Sequence, residues 1–204
     1  MRWLFSLILF IAIVLASLQL GTKQVFGLQK ETPEIVIEKY LNAVTSNDYQ
    51  TAYTYISDYN KEIREWLEFL NFVSSIAPKK LISIIHLAHS LTRHQIVQID
   101  LTSDGTAVVN VESIVPDMEK IFEITHSEDK IKSLYDNGSL PLKQKQRTYI
   151  LGKENNFWKI KQVEGVSGDA VSQLSLDLAE KLLSKEDIIK LDNEIRNYRN
   201  KKGN

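Results

Sequence analysis

Apolar residues follow three different rhythms along this chain. From Trp3 to Leu20 the run WLFSLILFIAIVLASLQL is apolar almost throughout and carries no charge. A helix that crosses a bilayer needs about 20 such residues, whereas a soluble helix keeps a polar face that this run lacks. Residues 1–21 therefore read as a transmembrane anchor. The rival is a signal peptide cut near Val14-Leu15-Ala16; the anchor is preferred because apolar residues continue past Ala16 through Leu18 and Leu20. Arg2 on one side and Lys23 and Lys30 on the other leave a weak charge bias. We take the amino terminus as cytoplasmic, with a single span through residues 3–20 and the body outside the cell membrane. Cleavage would instead release a secreted or periplasmic body.

After a linker at 22–31, the spacing becomes helical. Thr32-Pro33-Glu34 is a helix start: a capping hydroxyl, a proline where its missing N–H costs nothing, and an acid in the first turn. Val36, Ile37, Tyr40, Leu41 and Val44 then recur at three and four residues, to an end near Ser46. Asn47 or Asp48 can cap a second helix. On it Tyr49, Ala52, Tyr53 and Ile56 share one face and Thr51 and Tyr55 point elsewhere. Tyr49 and Tyr53 are expected to brace this helix against a sheet, with Tyr53 nearer any cavity. A third helix is predicted over about 60–75, with Ile63, Trp66, Leu67, Leu70 and Val73 inward, and a fourth over 79–91 after Pro78.

The third rhythm is alternation. Val97, Ile99 and Leu101 alternate with Gln98 and Asp100, and Val109, Val111 and Val115 continue it after TSDGT, which predicts a β-hairpin with Asp104-Gly105 supplying positive φ angles. PDMEKIFEI reads as a helix and DNGSLP as a loop. A second hairpin joins RTYILGK to FWKIKQ through ENN, with Tyr149 and Leu151 on one strand and Trp158 and Ile160 on the other. The chain then turns helical, with Val171, Leu174, Leu178 and Leu182 in one stripe and Ile188, Leu191, Ile195 and Tyr198 in another, restarted by a Ser184 to Asp187 capping box. That second stripe is too short for a coiled coil and is expected to dock on the body.

The predicted class is α+β: an amino-terminal hydrophobic helix, then helices packed on a curved antiparallel sheet, and a carboxy-terminal helical extension over 165–204. Composition narrows the function. With 25 basic against 26 acidic residues the net charge is −1, so no broad positive field exists to hold nucleic acid. The chain has no cysteine, which excludes disulfides, thiolate metal sites, a cysteine nucleophile and a lipid-modified cysteine. There is no phosphate-cradling glycine loop. GVSGD at 165–169 lacks the spacing of a nucleophile elbow. Asn137-Gly138-Ser139 has the form of a glycosylation acceptor, relevant only in a eukaryotic secretory pathway.

The stretch TPEIVIEKYLNAVTSNDYQTAYTYIS and the late strand GKENNFWKIKQV resemble the nuclear transport factor 2-like superfamily, a cystatin-like α+β cone. They are most similar to its membrane-anchored bacterial members of unknown function. The resemblance covers residues 32–164 and implies a cavity between sheet and helices, used for isomerase or cyclase chemistry, for binding, or for assembly. A ketosteroid isomerase-like enzyme of this plan needs a dry Asp base beside a Tyr donor. Asp48 sits where a helix cap is expected and Asp100 on the polar side of its strand, so no enzyme is expected. His86, His89 and His94 have no carboxylate at matching spacing, so neither metal nor cofactor is expected. The expected function is a membrane-tethered binding module for a small apolar or amphipathic ligand, walled by Tyr40, Tyr53, Trp66 and Trp158. The alternative is an assembly subunit contacting an envelope protein or its own copies. Its plan resembles the inner-membrane scaffold of type IV secretion, although that family's Asn-Pro-x-Gly motif is absent.

Overall fold

Capping chemistry starts the first three helices where the residue types demand it. The computed structural model describes residues 31–164 and 181–202. The Thr32 hydroxyl accepts from Ile35 N–H at 3.3 Å, and Pro33 opens α1 (Pro33–Thr45). Asp48 accepts from Thr51 N–H at 3.0 Å to start α2 (Tyr49–Thr54), and Asn60 from Ile63 N–H at 3.0 Å to start α3 (Lys61–Ile76). α4 (Lys79–Ser90) follows Pro78. Then come β1 (Arg93–Leu101), β2 (Ala107–Pro116), α5 (Met118–Ile124), α6 (Glu128–Asp136), β3 (Leu142–Glu154), β4 (Phe157–Val163) and α7 (Lys185–Lys202).

The class is α+β, with helices packed on one antiparallel sheet of order β1-β2-β3-β4. α1 lies across that sheet, touching β1, β2 and β4, and α2 packs between α1 and α3. The main core fills the space between these helices and the sheet, with Val36, Ile37, Ala52, Ile56, Val109, Leu151 and Ile160 fully buried. A second apolar cluster joins Leu81, Ile84 and Leu87 of α4 to Ile121, Phe122 and Ile131, and takes in Leu182 and Leu191. α7 docks on α3: Tyr198 stacks on Phe72 at 4.2 Å and Lys202 pairs with Glu68. Ser184 and Asp187 form the expected capping box, Asp187 N–H donating to the Ser184 hydroxyl at 3.2 Å.

No helix among the described residues is long and apolar enough to cross a membrane. The proposed span at 3–20, GVSGD, and Val171, Leu174 and Leu178 lie outside those residues.

Four expectations need correction. α2 ends at Thr54, so Ile56 reaches the core from beyond the helix, through a parallel bridge to Ile160. Tyr49 is buried in the core cluster that includes the sheet residues Val109, Tyr149 and Ile160, and Tyr53 packs against it. The backbone tie to the sheet is made past the helix end, where Ile160 N–H donates to the Tyr55 carbonyl and Ser57 N–H to the Ile160 carbonyl, each at 2.9 Å. Tyr55, read as pointing away, packs against the core. The alternation in β1 is broken because Val97 is an inserted bulge residue between the Ile96–Val111 and Gln98–Asn110 pairs. The bulge shifts the phase, leaving Val97 47% exposed while Ile96 and Ile99 pack inward. α6 was not anticipated, since EDKIKSLYD presents only a single fully buried residue, Ile131.

The turns also differ from each other. In the first hairpin only Gly105 has positive φ (+81°), and Asp104 acts through its carboxylate, which accepts from Thr106 N–H at 3.0 Å. In the second, Asn155 (φ 51°) and Asn156 (φ 70°) are both left-handed between the paired Glu154 and Phe157, the two-residue geometry that matches strand twist. Asn156→Val is expected to cost about 1–2 kcal/mol, because a β-branched residue resists this conformation, while Asn156→Gly stays within about 0.5 kcal/mol of the native chain. Urea unfolding curves check both; equal midpoints for the two variants would remove this account of the turn.

Candidate functional site

Antiparallel register decides what the inner face of the sheet presents, because directly paired residues share a face. Across β1, β2 and β3 the rows read Leu101–Ala107–Leu151, Ile99–Val109–Tyr149, Ile96–Val111–Arg147 and His94–Ser113–Lys145. Lys143 follows, opposite Val115. The face is apolar at one end and basic at the other, and the change falls between Tyr149 and Arg147.

Tyr40 of α1 meets Tyr149 at this border, edge to face, with ring centroids 6.0 Å apart. Tyr40 is 4% and Tyr149 1% exposed. Burial pushes both phenols well above their ordinary pKa, and the Arg147 charge opposes that rise at each. Arg147 also bears on His94: burial first, and this guanidinium second, hold the imidazole below its usual value. His94 Nδ1 lies 2.7 Å from the Ser113 hydroxyl. Lys145, though its side chain is exposed to solvent overall, is likewise pushed down, by partial desolvation of its ammonium and then by Arg147 and Lys143, with Asp117 opposing. Asp117 takes Lys143 at 3.2 Å and Lys120 at 3.7 Å. Among the described residues Arg147 and Lys145 form no salt bridge, and Asp117 acts on Lys145 only as a smaller opposing charge.

Beside this basic end, Asn47 Oδ1 accepts from the Tyr49 hydroxyl at 3.0 Å and lies 2.7 Å from His89 Nδ1. An amide oxygen only accepts, so His89 carries its proton on Nδ1. Burial, reinforced by His86 and His94, holds the His89 pKa down to about 4. The unfolded chain binds this proton near 6.5 and the folded one near 4, so stability is full above the unfolded value and falls as pH drops through that window. His89→Gln, which stays neutral, is expected to flatten that slope in pH-dependent urea unfolding; an unchanged slope would assign the acid sensitivity elsewhere.

The four predicted wall residues are not gathered at one place. Tyr53 lines an open cleft of about 400 Å³ between α2 and α3, together with Tyr49, Gln50, Leu67, Glu68 and Asn71. The Arg64 guanidinium sits 4.5 Å over the Tyr53 ring and donates to its hydroxyl at 3.2 Å. Trp66 packs against the main core, its indole N–H buried without a hydrogen-bond partner among the described residues. Trp158 also packs there, under the Lys153 ammonium at 5.2 Å. Tyr40 faces Tyr149 and does not line the cleft. Asp48 caps α2, and Asp100 accepts from Gln98 at 2.7 Å on an exposed part of β1. No cluster of three metal-ligating side chains occurs among the described residues.

Arg147, Lys145 and Ser113 were missed by sequence reasoning. A signal existed: in LKQKQRTYIL the cations at 143, 145 and 147 are in phase with buried Tyr149 and Leu151, so the strand carries its inward face into a basic stretch. The chain matches no protein-family model and no curated protein.

Proposed function

We propose that residues 32–164 form a nuclear transport factor 2-like cone, held outside the cell membrane by the segment at 3–20, that binds a small amphipathic ligand without turning it over. The observation that carries this reading is the inner face of the sheet, apolar under α1 and polar beyond Tyr149. The apolar half is filled by the protein's own side chains, Ile37, Val109 and Leu151 among them. A ligand is therefore expected at the polar end, bordered by the Tyr40–Tyr149 pair. This favours an amphipathic molecule over a wholly apolar one. Native mass spectrometry of the full-length protein from its own host, with denatured spectra alongside, tests it. A stoichiometric small molecule released on unfolding supports the reading, and a clean apo mass at saturating cell extract counts against it.

A second reading, assembly with an envelope protein or another copy, is favoured by one observation. Tyr40 and Tyr149 are buried against each other rather than facing an open apolar cavity. Crosslinking of the full-length protein in its membrane separates the two readings, since assembly predicts a defined crosslinked species and ligand binding does not.

A further inference from the structure

From the unpaired cations on the inner face we infer that the basic end of the sheet, built by Arg147, Lys145, His94 and Ser113, is a binding site for an oxyanion, a carboxylate or phosphate head group. This rests on the binding reading above and names the chemistry of the ligand's polar end.

Three observations converge on it. Register places Lys145 and Arg147 at i and i+2 of β3 on one face, with His94 and Ser113 in Lys145's own row and Ile96 and Val111 in Arg147's. Strand neighbours of like charge repel, and among the described residues neither cation forms a salt bridge; only the Asp117 charge offsets the repulsion at Lys145, as the smallest contribution there. Asp117, the acid whose charge acts on Lys145, is already held by Lys143 and Lys120. Finally, burial together with the neighbouring positive charge disfavours protonation of both His94 and Lys145, as expected of a partly desolvated site with excess positive charge.

An oxyanion placed there reverses these repulsions. The planar guanidinium of Arg147 offers paired N–H donors that match a carboxylate or phosphate, Lys145 adds a mobile ammonium, and the Ser113 hydroxyl can donate. Ser113 is buried, 6% exposed, so its hydroxyl faces the protein interior rather than bulk water. The Tyr40–Tyr149 border stands next to Arg147, so the head group would lie at the polar side of that border with the rest of the molecule outward.

The test titrates the full-length protein in zwitterionic nanodiscs with hexanol, hexanoate and hexyl phosphate by calorimetry, empty discs serving as blank. Hexanoate or hexyl phosphate is expected to bind at least about tenfold more tightly than hexanol, and Lys145→Met and Arg147→Met each to remove most of that preference. Lys145 is exposed, so its variant keeps the test valid if Arg147→Met fails to fold. Preference for hexanoate points to a free carboxylic acid, and preference for hexyl phosphate to a lipid or phosphate ester. Equal binding of all three would overturn the oxyanion inference and leave the binding reading intact. Binding of none would remove both.

Discussion

Tyr149→Ala is expected to destabilise the folded unit by about 3–5 kcal/mol, the range for deleting a fully buried aromatic ring. Tyr149 is the largest of the fully buried side chains, 1% exposed, and it stands at the centre of β3. It is paired with Val109 on one side and Val163 on the other. Its ring meets Tyr40 edge to face, an arrangement that contributes about 0.5–1.5 kcal/mol beyond the area buried. The sheet backbone cannot collapse into the space left, because β2 and β4 hold β3 from both sides. For a chain of this size the melting temperature should fall by roughly 10 °C. Tyr149→Phe keeps the ring and is expected to cost less than about 1.5 kcal/mol. Calorimetric melts of the two variants check the pair. A Tyr149→Ala melt close to that of Tyr149→Phe would mean that the ring is not the keystone of this core.

Asn47→Ala is expected to cost about 2–4 kcal/mol, from two separable causes. Asn47 closes α1 in the left-handed conformation, φ 60°, with its N–H on the Val44 carbonyl at 3.0 Å and the next N–H, of Asp48, on Ala43 at 2.8 Å. Alanine resists that φ. Its methyl group also cannot accept from the Tyr49 hydroxyl and His89, leaving two polar groups at a partly buried junction of α1, α2 and α4 without their acceptor. Asn47→Gly restores the backbone freedom but not the acceptor. It should recover about 1 kcal/mol of the loss and no more. Chemical denaturation of the three proteins separates the causes. Full recovery by glycine would make the side-chain network energetically silent, and no recovery would make the backbone conformation irrelevant.

Much of the architecture was legible because its signals are local. The Thr32, Asp48 and Asn60 caps, Pro33 and Pro78, and the period of Val36, Ile37, Tyr40 and Leu41 each act within about one helical turn. The stripe on α3 and the docking of Leu191 and Tyr198 were readable for the same reason. Asn47 shows the limit. Composition alone left Asn47 and Asp48 as equal candidates to cap α2, whereas the folded chain uses Asn47 to end α1 and Asp48 to begin α2, roles that differ only by one residue's φ.

The candidate site was much less legible. Aromatics drew attention to Tyr40, Tyr53, Trp66 and Trp158, yet Tyr53 serves a cleft on the α2–α3 side and Trp66 and Trp158 pack on the core. The Val97 bulge was invisible to a strict alternation, because an inserted residue is defined only by the strand opposite. His89 could be counted in the sequence, but its neutral state depends on Asn47, 42 residues away along the chain.

By itself, then, the sequence determined the starts of α1 to α4 and of α7, the two hairpins, the α+β class and the lack of any cysteine chemistry, all of which depend on residue identity and on neighbours a few positions away. Tertiary structure alone decided that Arg147 and Lys145 share a face with His94 and Ser113, that Tyr40 meets Tyr149, and that the apolar half of the face is already filled. Those facts follow from strand register and from where α1 crosses the sheet. Both are set by the joint burial of side chains distant in sequence, which no local pattern records.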